Sequence, residues 1–251
     1  MPIVDTQNRF AWPCLRKLPP STSNELSARR VLYLTFDDGP DPVGTPAVLA
    51  VLEQFGVRAT FFVVADAAIR HPALLKAITA AGHSVGNHSL DHRYGAFFGS
   101  RKVLRHWIGE AERRLNGELG HGTVGFRSPA GVRTPHLAPV LWELGLPLIH
   151  WQKRFYDSVW PWRANAAVAS LVSAPSGSII LLHDRQQTRN LPTFLRTLSQ
   201  YLTSARAMQI EFRALQRADC LAYLATIPVG KNGKAGVVAA PDSQDASVCR
   251  V

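Results

Sequence analysis

Residues 31–56 read VLYLTFDDGPDPVGTPAVLAVLEQFG, a buried strand, a polar turn and an amphipathic helix in direct succession. Val31 to Phe36 is a β-rich apolar run, and Gly39, Pro40 and Pro42 punctuate the loop that follows Asp37 and Asp38. Thr45 then stands at a helix N-cap position with Pro46 at the first helical position. Val48, Val51, Leu52 and Phe55 follow at helical spacing, and Gly56 closes the helix.

The same unit recurs downstream. Ala59 to Val64 reads as a strand, Pro72 to Ala81 as a helix stopped by Gly82, and Ser84 to Asn87 as a short strand. Thr123 to Arg127, Leu146 to Trp151 and Ser178 to Leu182 read as further strands, separated by helical stretches near 101–116, 134–144 and 164–174. Ile210 to Phe212 adds a last strand. Strands alternating with helices imply parallel pairing, with each crossover helix covering a sheet face. The expected fold is α/β, a (β/α) barrel of seven or eight units in a single domain. A doubly wound open sheet would call for a GxGxxG turn after a strand, and none stands in the right position.

The chain has 251 residues, 46% of them hydrophobic and 18% charged. That composition suits a filled core and excludes a disordered polyelectrolyte. No apolar run approaches the roughly 20 residues that cross a bilayer. Residues 1–29 form a weakly patterned lead-in, with Phe10 and Trp12 available to pack against the barrel. Residues 30–228 form the main domain, and 229–251 read as a flexible tail. The N-terminus lacks the pattern of a secretory signal, and Cys14, Cys220 and Cys249 are odd in number and widely separated. They read as reduced thiols in a cytoplasmic protein. The formal charge of +10 favours anionic surroundings, but no dense basic block or aromatic-interleaved basic motif appears, so nucleic acid is not an expected partner.

In a parallel barrel the loops at the carboxyl ends of the strands converge on one mouth. Asp37 and Asp38 end the first strand, His88 the third, Arg127 the next, and His183 with Asp184 a later one. Each has a structural reading when taken singly: a turn for the acids, an ion pair for Arg127, a core histidine for His183 beside an N-capping Asp184. His88 and His92 share one face if their segment turns helically, which suits a single metal ion. Two histidines and a carboxylate on a metal leave positions open for water and substrate, as a catalytic site requires.

The ordered motifs Thr35-Phe36-Asp37-Asp38-Gly39, His88-Ser89-Leu90-Asp91-His92, Arg127-Ser128-Pro129-Ala130-Gly131 and Leu181-Leu182-His183-Asp184 resemble those of the polysaccharide deacetylase family, also called carbohydrate esterase family four. The rhizobial chitooligosaccharide deacetylases within it are especially similar. The resemblance implies a distorted (β/α) barrel of about seven units, and a divalent ion, zinc with cobalt or nickel as alternatives, on Asp38, His88 and His92. It implies Asp37 as general base, His183 as general acid and Arg127 holding Asp37. It also implies an oxyanion contact from the Ala130 N–H and an acetyl pocket lined by Leu182. The implied substrate is an N-acetylated, chitooligosaccharide-like glycan, with an anionic or lipid-linked form as a variant.

Two departures stand out. Ala130 replaces an aromatic residue of the family, and Arg154-Phe155-Tyr156-Asp157-Ser158 replaces its Asp-x-x-Asp-Trp, so that only Asp157 remains to orient His183. Trp160 and Trp162 are the candidates to restore the lost aromatic surface, with barrel packing as their other reading. Competing functions are an O-acetyl esterase or lipid-linked aminosugar deacylase using the same centre, and a non-catalytic glycan-binding module.

Overall fold

The computed structural model describes residues 14–18 and 29–225. Phe10, Trp12, Cys249 and the expected tail at 229–251 lie outside them. Strand β1 (Val31–Asp37) is buried along its whole length and pairs in parallel with β2 (Thr60–Val63), β5 (Ile179–His183) and β6 (Glu211–Phe212). β3 (Ser84–Asn87) adds to β2, and β4 (Lys153–Arg154) adds to β5. The order is β3-β2-β1-β5-β4, with β6 beside β1.

Helices α1 (Gly44–Phe55), α2 (Ala65–Arg70), α3 (Pro72–Ala80), α4 (Arg101–Leu119), α5 (Leu137–Glu143), α6 (Ala164–Ser173), α7 (Leu191–Ala207) and α8 (Arg217–Ala225) intervene. None of the described helices is long and apolar enough to cross a membrane. Cys14 and Cys220 are free thiols.

Strand alternation divides the core. Leu32, Leu34 and Phe36 join Val48, Leu52, Leu198 and Tyr201 in a cluster between sheet and helices. Val31 and Tyr33 join Phe62, Ile149 and Ile179 in a second cluster on the other face. Thr35 and Asp37 continue that second face and are buried polar side chains, a combination that needs partners.

The expected strands at 123–127 and 146–151 are reduced to single pairings. Phe126 bridges Asn87 of β3 on one side and Leu148 on the other. Gly125, at φ +150°, and Pro147 interrupt the ladder there. Ile149 then bridges Leu15, and Lys17 bridges Ser178 next to β5. The ring is therefore completed by isolated residue pairs, and Leu15 and Lys17 form part of its wall.

The start of α1 differs from expectation. Its N-cap is Val43, with no side-chain cap. Asp41 Oδ1 instead accepts the N–H groups of Val43 (3.0 Å) and Gly44 (2.7 Å), the geometry of an Asx turn. Thr45 is turned inward: its hydroxyl accepts the Asp41 N–H at 2.7 Å and donates to Asp184 Oδ2 at 2.5 Å.

Candidate active site

The acids at the end of β1 diverge because the backbone reverses between them. Asp37 keeps the extended conformation and pairs in register with Phe62 and His183, whereas Asp38 has φ +75°. That left-handed residue breaks the strand alternation, and the two carboxylates meet different partners.

Asp38 Oδ1 lies 3.3 Å from His88 Nε2 and 3.1 Å from His92 Nε2. The ligating atoms of the three residues lie within 4.8 Å of one another. Ligands at ~2.0–2.1 Å from one tetrahedral ion are separated by about 3.3 Å, so this donor set fits a single cation. His88 Nδ1–H donates to the Arg127 carbonyl at 2.9 Å, which aims Nε2 at Asp38. Burial lowers the His88 pKa, but Asp37 and Asp38 outweigh it and raise it, so that without a cation Nε2–H faces Asp38, and a cation there would take the Nε2 lone pair. Burial would raise the Asp38 carboxyl, but hydrogen bonds to the two histidines outweigh it and hold Asp38 far below the usual carboxylate range.

The segment from His88 to His92 is not helical. Ser89 and His92 have φ of +80° and +62°. Asn87 Oδ1 accepts the Ser89 N–H at 2.8 Å, and Ser89 Oγ accepts the His92 N–H at 3.1 Å. Two side-chain-stabilised turns, rather than a helix face, bring the imidazoles to a ring separation of 5.1 Å.

Asp37 answers to Arg127. The guanidinium is fully buried and donates through Nη1 to Asp37 Oδ1 and Thr35 Oγ1, both at 2.7 Å. It also donates to the carbonyls of Ile149 (3.3 Å) and His150 (3.2 Å), and lies 3.9 Å above the Phe62 ring. Burial draws its pKa down while Asp37 opposes the fall, and it remains charged. Removing one partner of such a buried pair strands the other charge, at a cost of about 3–5 kcal/mol. Asp37 Oδ2 remains, 3.8 Å from His88 Nε2.

On β5, His183 is held twice by Asp157: Nδ1–H donates to Oδ1 at 3.0 Å and the backbone N–H to Oδ2 at 2.8 Å. Gln186 Nε2 braces the same carboxylate at 3.0 Å and the His183 carbonyl at 2.8 Å. Burial would lower the imidazole, but Asp157 in contact and Asp37 and Asp38 nearby push it up to about 9. Asp184 does not join this group. It sits behind the turn, against Gly39 and Thr45, and burial lifts its carboxyl to about 7 against the Thr45 hydrogen bond.

Leu182 does not face the site. Side chains alternate along β5, so the Asp37-to-His183 register puts Leu181 on the site face with His183 and turns Leu182 into the helix-side core, where it is fully buried. Ala130 is exposed, at φ +50°, in the 3₁₀ turn Pro129–Gly131. The hydrogen bonds of this turn come from Gly131 N–H (2.9 Å) and Val132 N–H (3.1 Å). Trp151 rests against it, because a Cβ on Gly131 would stand 2.9 Å from that indole.

Of the two tryptophans expected to replace the family aromatic, Trp162 packs among Phe155, Phe194 and Tyr201, whereas Trp160 is 68% exposed. Arg154 lies 4.1 Å over the Tyr156 ring on the same rim. Sequence reasoning missed two polar supports. Thr35, a lone hydroxyl in a buried apolar strand, was a signal for one; nothing local marks Gln186.

Residues 25–149 match the family model for polysaccharide deacetylase. A chitooligosaccharide deacetylase of Sinorhizobium fredii is 38% identical over 171 residues, 68% of this chain and 77% of that protein. The chain belongs to the polysaccharide deacetylase family. A second relative in this family, the peptidoglycan-N-acetylglucosamine deacetylase PgdA of Listeria monocytogenes, is 32% identical over 213 residues, 84% of this chain. The chain spans only 43% of that protein's length. The α/β fold matches that of a family 4 carbohydrate esterase from Streptomyces lividans, with a TM-score of 0.67, 24% identity, and coverage of 77% of this chain and 97% of the other.

Proposed function

We propose that this polysaccharide deacetylase family member is a metal-dependent hydrolase that removes N-acetyl groups from an aminosugar glycan. The observation that carries the reading is the separation of the adjacent acids: Asp38 goes to the histidines and Asp37 to a buried arginine. One acid is thereby a ligand and the other a base.

A divalent ion on Asp38, His88 and His92, zinc or alternatively cobalt or nickel, supplies Lewis-acid polarisation of the acyl carbonyl and acidifies water. Arg127 donates to Asp37 Oδ1 and fixes its rotamer, so that Oδ2 is the oxygen that takes the proton from the attacking water. The Ala130 N–H offers a hydrogen bond to the developing oxyanion, and Leu181 an apolar surface for the methyl group. His183 is protonated at neutral pH and delivers that proton to the departing nitrogen, which returns as the free amine. Asp157 orients His183 for this step.

The state of His183 favours amide over ester hydrolysis. An amine is a poor leaving group without a proton, and the imidazolium that Asp157 favours at His183 supplies one. Mass spectrometry of N-acetylated chitooligosaccharides incubated with metal-loaded and chelated protein tests the proposal. The expected product has lost one acetyl mass in the loaded sample and none in the chelated one. Intact substrate in both samples, or equal turnover in both, refutes it.

A further inference from the structure

A cleft of about 690 Å³ opens beside Asp38 and His92, within the range of small-molecule sites. It is larger than an acetamido group requires, and so has room for further sugar. Its charged lining comprises Asp38, Asp66, Asp91, Arg70, Arg93 and Arg185. The acids are already engaged. Asp38 belongs to the histidines, Asp66 pairs with Arg114 at 2.9 Å, and Asp91 pairs with Arg93 at 2.9 Å while accepting Trp107 Nε1–H at 2.8 Å.

Arg70 and Arg185 are exposed and have no acid partner among the described residues. They come from two separate elements, the end of α2 and the loop after β5, and both line this one cleft. Single unpaired arginines on a convex surface are ordinary. Two that line the same concavity as a candidate metal centre concentrate positive potential where substrate must enter.

A guanidinium presents a planar fork of donors that matches a carboxylate or a phosphate. An unmodified chitooligosaccharide carries no acceptor of that kind. We infer that the cleft takes an acidic substituent of the glycan, a carboxylate or a phosphate ester, between Arg70 and Arg185. This inference rests on the proposed deacetylase reading and extends it to the class of glycan.

The test compares three probes on the metal-loaded full-length protein: N-acetylated chitotetraose, its carboxymethyl derivative and its phosphorylated derivative. At low salt the wild type is expected to show higher kcat/KM on at least one acidic probe than on the neutral one, and the favoured probe tells carboxylate from phosphate. In an Arg70→Gln, Arg185→Gln double variant the ratio of acidic to neutral kcat/KM should fall by about tenfold, the scale of two partly exposed ion pairs. Double substitution by Lys, which keeps the charge, should retain part of the ratio. Equal kcat/KM on all three probes, or an equal fall on all three in the Gln variant, overturns the inference. If no probe is deacetylated, the deacetylase reading has failed, and calorimetric binding of the same probes decides the cleft separately. Tighter acidic binding that the Gln variant loses supports the arginine site, and equal affinities refute it.

Discussion

Replacing Asp157 by Asn asks whether His183 keeps its proton through charge or through shape. The carboxylate is buried and accepts three hydrogen bonds, from Nδ1–H and N–H of His183 and from Gln186 Nε2. Asparagine preserves the outline and one acceptor oxygen but carries no charge. A hydrogen bond to a charged group contributes about 1.5–3 kcal/mol, against about 0.5–1.5 kcal/mol for a neutral pair. The difference of about 1–1.5 kcal/mol corresponds to a fall of about one in the His183 pKa.

The sign follows from which form is active. The imidazolium is the acid, so activity is present below the folded pKa and is lost as pH rises through it. Asp157 holds that value up, near 9 with Asp37 and Asp38 both charged, and removing it moves the loss to lower pH. A cation on Asp38 cancels part of the anionic field and sets the wild-type limb below 9, so both proteins are compared at the same loading. The assay is kcat/KM against pH on an N-acetylated oligosaccharide. The basic limb should move down by about one pH unit, with a larger loss at pH 9 than at pH 7. An unmoved limb, even with lower activity throughout, refutes the argument that Asp157 acts through the His183 proton.

Three further substitutions separate the remaining roles. Asp37→Asn should retain metal while losing roughly 10²- to 10⁴-fold in rate, whereas Asp38→Asn should lose metal affinity and recover in part at high metal concentration; elemental analysis beside the rates checks both. Equal metal loss in the two variants contradicts the division of labour between the acids. His183→Ala should impair N-deacetylation more than hydrolysis of an activated aryl acetate, whose phenolate leaves without a proton, and equal losses would remove the acid role.

The parts of the fold that follow period and punctuation were legible in the sequence. Val31 to Phe36 and Ser84 to Asn87 are strands because their side chains are buried on a pleated surface, and Gly56 ends α1 in the left-handed region its sequence announced. Helix α7 went unread although Phe194, Leu198, Tyr201, Leu202 and Ala205 lie at helical spacing behind Pro192. Helix α2 hid behind the apolar run from Phe61 to Ala65, where its six residues offer no period to detect.

The candidate site divides in the same way. Residue types at strand ends were visible, but geometry set by local backbone was not. The helical spacing expected of His88 and His92 gave way to positive φ at Ser89 and His92, and the assignment of Leu182 missed the strand parity that Asp37 imposes on β5. Arg70 and Arg185 share a cleft only through the tertiary fold, and no sequence spacing foretells it.

The isolated pairs that complete the ring also bear on the order of assembly. Leu15 and Lys17 leave the ribosome well before their partners Ile149 and Ser178 are made. Such distant pairings bear a large loop-closure entropy and form late in folding. Until they do, the carbonyls of Leu148 and Gly177 and the N–H groups of His150 and Ile179, which bond the stretch from Leu15 to Leu18, stand on open sheet edges, the surfaces most prone to pair with another chain. The short stretch around Leu15 therefore acts as a latch, and the nascent protein is most exposed to aggregation in the interval before it shuts.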